Sequence, residues 1–414
     1  MNENYHHRDT CRLCGGKELT LVISLEPTPP ANAFVPKNAL GEAQECYPLD
    51  VYFCENCAHV QLLDVVDPKI LFEHYVYVSG TSPVFVEHFR NYAADVMARF
   101  GAIDDGFALD IGSNDGTLLS FFKEAGWRVL GIDPAKDIAM RATQSGIETM
   151  AEFFTPELAA KIKIDKGPAK VITANNVFAH ADDLQGIVSG INALLADDGI
   201  FVFEVSYLLD VMEKTLFDTI YHEHLAYHSV KPLAQFLDAN NMELIDAQMI
   251  DSHGGSLRAV AQKKGGPNKV SPNVDKMISQ EIKLGLDRSE TFKKFAADIE
   301  SLKNELGQLL RRLKGEGKSI AAFGAPAKAT TLMYHFDIGA DIIDFIVDDS
   351  PLKQGLYSPG MHIEVVSSEM IKERNPDYLL ILAWNFAQPI MEKQADFKKR
   401  GGHFIVPLPK LEVF

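Results

Sequence analysis

The stretch Phe107-Ala108-Leu109-Asp110-Ile111 is apolar but for one acid, and it runs directly into Gly112-Ser113-Asn114-Asp115-Gly116. Thr117-Leu118-Leu119-Ser120-Phe121-Phe122 then opens a helical pattern. A short, nearly continuous apolar strand is one buried on both faces, as in a parallel sheet covered by helices. The glycine-bearing turn after such a strand is where an α/β sheet takes a nucleotide-like ligand, because glycine lets the backbone approach it. Arg128-Val129-Leu130-Gly131-Ile132-Asp133 gives the next strand, and Asp133 at its end is placed to accept hydrogen bonds from two ribose hydroxyls. A dinucleotide fits poorly. The G-x-G-x-x-G spacing is absent, and Asp110 and Asp115 would repel a pyrophosphate. A ligand without phosphate, with a cationic centre and an amino-acid tail, fits better.

The spacing Asp110-x-Gly112-x-Asn114-x-Gly116 resembles the first motif of class I S-adenosylmethionine-dependent methyltransferases, with Asn114 where a glycine is common. Residues 170–176 and 199–205 read as the fourth and fifth strands, with helices over 136–144, 156–162 and 184–195. Asn175 ends the fourth strand, beside the expected methionine moiety. Phe153 and Phe154 follow the third strand, where the adenine ring packs. One of them stacks on that ring, or both belong to the core. The expected cofactor contacts are Asp110, Gly112, Ser113, Asn114, Gly116, Asp133, Phe153 and Asn175.

Upstream lie two C-x-x-C pairs, Cys11 with Cys14 and Cys54 with Cys57. Each pair turns two thiolates toward one ion, and two pairs close a tetrahedral site with no open position. They predict a structural zinc in a ribbon-like module. A redox C-x-x-C is disfavoured, because neither pair opens a helix after a parallel strand.

A chain of 414 residues is too long for one ordinary core and predicts two or three domains. The net charge of −17 argues against nucleic acid or an anionic membrane as partner. It leaves room for a small anionic substrate in a locally basic pocket. No apolar run is long enough to span a membrane, and MNENYHHRDT lacks the apolar core of a signal peptide. A cytoplasmic protein, monomeric or weakly homo-oligomeric, is expected.

Tyr221-His222-Glu223-His224-Leu225-Ala226-Tyr227-His228 concentrates three histidines, two tyrosines and a glutamate just after the fifth strand, over the cofactor end of the sheet. It fails as a zincin site, since position 226 is alanine. It suits proton transfer: a histidine near neutral pKa, a carboxylate to orient it and a tyrosine hydroxyl for an oxyanion. His180, just past the fourth strand, is a second base candidate or a packed residue. Ser252-His253-Gly254-Gly255-Ser256-Leu257-Arg258 either cradles a phosphate or is a hairpin turn. Tyr75 and Tyr77 interrupt helical residues 64–106, as a packed loop or a lid.

After a proline-rich boundary at 267–273, one long helix is expected over 274–314, then a second strand–loop–helix at 319–332. Strands near 344–349, 378–385 and 403–407 make this another doubly wound domain. Lys328, at a helix start, suits a diphosphate, or is a lysine on a lid.

The cysteine pairs, the 109–119 motif, Tyr221-His222-Glu223-His224, His253-Gly254-Gly255-Ser256 and Gly324-Ala325-Pro326-Ala327-Lys328 together resemble the nucleotide-sugar C-methyltransferases of deoxysugar biosynthesis, over essentially the whole chain. The resemblance implies a zinc-binding module (residues 1–70), a methyltransferase domain (71–266) and a Rossmann-like nucleotide-sugar domain (267–414). It implies C3 methylation of a TDP-linked 4-keto-6-deoxyhexose through an enolate. His224 is then the base, Tyr221 and Glu223 its neighbours, and His180 an assistant. Tyr75, Tyr77, Ser256, Arg258 and Lys328 become substrate contacts. The alternatives are methylation at nitrogen or oxygen of a related sugar or small molecule, a non-catalytic binding protein, and, more remotely, a nicotinamide oxidoreductase.

Overall fold

The computed structural model describes residues 4–72, 80, 83–101, 106–251 and 254–414. Its central element is a seven-stranded sheet. In chain order the strands are β1 Phe107–Ile111, β2 Arg128–Ile132, β3 Thr149–Met150, β4 Ala169–Asn175, β5 Leu195–Ser206, β6 Met242–Ile250 and β7 Ser256–Lys263. In space they run β6-β7-β5-β4-β1-β2-β3. All neighbours are parallel except β7, which lies antiparallel between β5 and β6. Every residue of β1 is buried, as a strand covered on both faces must be. The connecting helices carry ordinary end signals. Thr155 caps Pro156–Lys166, with a proline at its first turn, and Asp183 caps Leu184–Leu194.

Two further sheets of more than two strands flank this one, and Tyr5–His7 pairs with Asp64–Val66 as a separate two-stranded ribbon. Leu19–Thr28, Tyr47–Cys54 and Val60–Leu62 form an antiparallel sheet, the fourth strand of which is Ala226–Tyr227, from beyond β5 of the central sheet. The C-terminal sheet has six strands in the order Val365–Val366, Ile346–Val347, Ile320–Phe323, Tyr378–Ile381, His403–Val406 and Glu412–Val413. It is parallel except at its last pair. One contiguous set of buried side chains runs through all three sheets, from Val22 to Leu408. Phe53 of the first sheet meets Phe292 with ring centroids 5.6 Å apart.

The expected single helix over 274–314 is two, Pro272–Leu284 and Ser289–Gly315. Gly285, at φ +76°, ends the first, a left-handed position that a side chain would strain. The break lets the two helices serve different neighbours. Glu281, on the first, is 2% exposed. Its carboxylate accepts the backbone N–H of Val230 (2.6 Å) and Lys231 (3.0 Å), at the start of helix Val230–Ala239, and the Tyr207 hydroxyl (2.8 Å). Ser289–Gly315 instead packs on Leu19–Thr28. Removing the carboxylate charge strands buried donors. Glu281→Gln is therefore expected to lower the free energy of urea unfolding by about 1–3 kcal/mol.

Candidate functional site

The loop after β1 is folded against the end of β2. Gly112 (φ +70°), Asn114 (φ +51°) and Gly116 (φ +78°) all adopt left-handed backbone. A Cβ on Gly112 would sit 2.2 Å from Val177, so only glycine fits there. The Asp133 carboxylate accepts the N–H of Asn114 and of Ala135, each at 2.9 Å, and so ties the loop to its own strand end. Burial raises its pKa. Asp110 is 4% exposed and accepts the Thr173 hydroxyl at 2.6 Å. Burial drives its pKa up to about 7, and the charge of Asp133 adds to the rise. At the ends of β1 and β4, the Ser113 hydroxyl and both amide atoms of Asn175 are buried without a hydrogen bond of good geometry. Of the two phenylalanines past β3, Phe154 is buried against Gly190 and Phe153 is 49% exposed, leaving Phe153 the ring available for stacking.

The histidine segment is a turn, not a helix, between the short helix Phe217–Thr219 and the strand Ala226–Tyr227. His224 Nδ1 lies 2.7 Å from the Thr219 carbonyl oxygen. A carbonyl can only accept, so Nδ1 carries a proton and the neutral ring has its lone pair on Nε2. The Tyr221 ring packs 4.1 Å from the His224 ring, and the His180 ring lies 5.0 Å away. His180 also stacks on Phe72. Burial, then the neighbouring His224, hold the His180 pKa well below the ordinary value, so it is a neutral imidazole at pH 7. Glu223 is 4% exposed and accepts from the Asn32 amide at 2.9 Å. Burial raises it to about 7, only partly offset by Asn32. His222 and His228 are buried, near the backbone oxygens of Tyr47 and Phe178, which suits a supporting role.

Tyr75, Tyr77, Ser252 and His253 lie outside the described residues. Ser256 opens β7, and Arg258 lies within it, so this part of the stretch is hairpin and strand. Arg258 donates to Glu204 at 2.6 Å and covers the Tyr92 ring. Burial works to raise Glu204, yet His88 at 2.8 Å and Arg258 together hold it below its usual range. The Arg258 charge is thus balanced inside the protein. Lys328 is balanced too: its Nζ lies 3.6 Å from Asp218 and 4.2 Å from the centre of the Trp384 ring. Trp384 Nε1 donates to the same carboxylate at 2.6 Å, and the Thr331 hydroxyl donates to the Ile220 carbonyl at 2.7 Å. The C-terminal domain therefore braces the segment that carries His224. Asn32, Thr331 and Trp384 escaped the sequence reading, because each acts on a residue far away in the chain.

In the N-terminal module, the sulfurs of Cys11, Cys14, Cys54 and Cys57 all lie within 4.8 Å of one another, with Cys11–Cys57 and Cys14–Cys54 at 3.6 Å. Four thiolates on two tight turns match a tetrahedral zinc site closed to substrate. Gly16 N–H and the Asn56 amide donate to the Cys14 sulfur, the expected support for a thiolate ligand.

Fold, glycine loop and four-cysteine cluster define a methyltransferase with a structural zinc module. Three family models match the chain: "Putative zinc binding domain" over residues 11–72, "Methyltransferase domain" over 85–247 and "C-methyltransferase C-terminal domain" over 251–409. The chain is 35% identical to C-methyltransferase NovU of Streptomyces niveus over 405 residues, 98% of this chain and 96% of that one. Among solved structures, an S-adenosylmethionine-dependent methyltransferase from Clostridium acetobutylicum covers 44% of this chain and 92% of its own at 10% identity, with a TM-score of 0.36. That likeness is too remote to bear on the site. The chain belongs to this C-methyltransferase family and is an S-adenosylmethionine-dependent C-methyltransferase. The unpartnered Ser113 and Asn175 groups and the cradle at Gly112 fit that cofactor, and the cysteine cluster fits zinc.

Two outcomes follow from this geometry. Cys54→Ser should drop bound zinc, read by elemental analysis, from one per chain to near none and lower the melting temperature. The second concerns Asp110, whose folded value near 7 exceeds its ordinary 3.8. The folded state then holds the proton more tightly. The associated stability is fully present below about pH 4 and is lost as pH rises through 7, by at most about 1.4 kcal/mol per pH unit. Asp110→Asn should escape that loss, so urea unfolding at pH 5 and pH 8 should show the variant gaining on the wild type at pH 8.

Proposed function

We propose that this protein methylates C3 of a nucleotide-linked 4-keto-6-deoxy sugar, with TDP as the expected carrier, in deoxysugar biosynthesis. We likewise assign three units, a zinc module over residues 1–70, the methyltransferase domain over 71–266 and a nucleotide-sugar domain over 267–414. The observation that carries the reading is the orientation of His224. Its Nδ1–H is fixed on the Thr219 carbonyl, which makes Nε2 the basic atom, and Tyr221 and His180 pack against the same ring. A hydrogen on carbon beside a ketone is acidic only when the enolate is stabilised. In this reading Nε2 of His224 takes the C3 proton as the C3–H bond breaks. The Tyr221 hydroxyl donates to the C4 oxygen as negative charge develops there. Neutral His180 keeps a second positive charge away from His224 and so assists it in holding the proton. Glu223, with its pKa near 7, orients the segment through Asn32. When bound, S-adenosylmethionine supplies an electrophilic methyl group for the C3 carbanion. The similarity to a Streptomyces C-methyltransferase supports carbon over oxygen or nitrogen as acceptor.

The test is a panel of TDP- and GDP-4-keto-6-deoxy sugars incubated with enzyme and cofactor and analysed by mass spectrometry. At least one should gain a single methyl group. His224→Ala should lower that rate by about 100-fold or more, with cofactor affinity by calorimetry within about threefold. Solvent deuterium should enter C3 of the accepted sugar without cofactor. A panel with no methylated product, or no exchange with His224 intact, would sink the reading.

A further inference from the structure

Arg12 lies between two of the zinc-site cysteines, yet its side chain points away from them and is 0% exposed. Its backbone is fixed by the knuckle turn, in which Gly15 N–H donates to the Cys11 carbonyl and Cys11 N–H to that of Gly16. Arg12 Nη1 donates to the Leu225 carbonyl (3.0 Å), the Leu62 carbonyl (3.0 Å) and Gln61 Oε1 (3.2 Å). Nη2 and Nε donate to Asp182 Oδ1, at 3.1 and 3.3 Å. Leu225 is the residue after His224, and Asp182 lies two beyond His180. The same two segments are tied to each other, because Leu225 N–H and Ala226 N–H both donate to the Ala179 carbonyl, at 2.9 and 3.1 Å. One guanidinium thus spans the crossing of the two chain segments that carry the paired histidines. Its planar fork can hold a carbonyl on one edge and a carboxylate on another at fixed angles, which a lysine ammonium cannot.

We propose that Arg12 is a positioning residue that sets the spacing of His180 and His224, and that this is how the zinc centre bears on the reaction. The inference rests on the reading of His224 as the base. The metal fixes the turn, the turn fixes Arg12, and Arg12 fixes the segments just after each histidine. The zinc centre does no chemistry on the substrate. A displacement of about 1 Å at a reacting group costs about 100-fold in rate, so losing the fork should fall on turnover and spare binding.

The test uses the full-length, zinc-loaded protein as wild type, Arg12→Met and Arg12→Lys, with zinc content measured for each. Ring signals of 13C-labelled histidine are assigned with His180→Ala and His224→Ala. In Arg12→Met the His180 and His224 signals should shift or broaden, while those of His335 and His403 in the C-terminal domain stay in place. With the sugar accepted in the panel above, kcat should fall about 10- to 100-fold, with KM and cofactor affinity within about threefold. Arg12→Lys, which keeps the charge without the fork, should recover only part of the loss. Should Arg12→Met fail to fold, Asp182→Asn, which weakens one edge of the fork, is read in the same way. Unmoved His180 and His224 signals in a zinc-loaded variant overturn the proposal, as does a loss confined to KM or to cofactor affinity. Full activity in His224→Ala would defeat the base assignment instead, and the histidine spectra would still report whether Arg12 sets the pair.

Discussion

Everything at the candidate site hangs on a two-residue strand. Ala226–Tyr227 leaves the methyltransferase domain to pair with Val60–Leu62 of the zinc module, Ala226 opposite Gln61 and Tyr227 opposite Val60. Leu62 N–H adds a bond to the Leu225 carbonyl at 3.0 Å. Each such bond contributes only about 1 kcal/mol net, but a buried backbone group left without its partner costs about 1–3 kcal/mol. The pairing is therefore hard to undo piecemeal. At its other end the segment is held by the C-terminal domain, through Trp384 and Lys328 on Asp218 and Thr331 on Ile220. The turn from Tyr221 to His224 is strung between two clamps from different domains. That accounts for a loop in which His222 and His228 are almost wholly buried.

The electrostatics follow the same plan. The chain carries a net charge of −17, and three of its buried cations are each taken by a carboxylate. Arg258 is held by Glu204, Lys328 by Asp218 and Arg12 by Asp182. Breaking a buried pair by removing one partner is costly, because the other is left as an uncompensated charge. These residues thus serve as joints between elements. Burial lowers Lys328 and raises Asp218, and their mutual attraction opposes both shifts. By contrast, Asp110 and Glu223 accept from neutral donors, Thr173 and Asn32, and their burial places them near neutral pH. A carboxyl of that kind changes its hydrogen-bonding role with small changes in surroundings, a property common at functional sites.

What was legible in the sequence was local. The apolar run of β1, the glycines after it and Asp133 act within one βαβ unit, so spacing alone exposes them. The four cysteines were legible for the same reason, two short turns with ligands built in. The split at Gly285 was visible as a residue but not as a break, since a single glycine also sits within helices and only the different neighbours of the two halves require the stop. Ala226–Tyr227 was beyond reach: two residues make a strand only because an edge from the N-terminal module is there to receive them. Arg258 and Lys328 show the same limit in electrostatics. A cation near a glycine-rich turn looks ready for phosphate until the fold sets Glu204 and Asp218 beside it. Asn32 gave no signal at all, for its meaning is the carboxyl of Glu223, brought to it by the packing of two domains.

A closed four-cysteine site has no position for substrate, so its value to a methyl-transfer enzyme must be mechanical. The N-terminal module is small, and its strand Val60–Leu62 offers an edge that Ala226–Tyr227 completes. An edge can serve as a rigid rail only if the module does not deform, and a metal holding two turns together resists that better than so small a core could. Proton abstraction from carbon has the converse need, a base and an oxyanion donor held at fixed distances while charge moves between them. Flexible loops at the end of a doubly wound sheet do not meet that need unaided, because few of their backbone groups are paired. The added zinc module on one side and the added α/β domain on the other supply the missing pairs. On this view the extra domains are no ornament on a methyltransferase core: they stiffen the one loop that carries Tyr221 and His224.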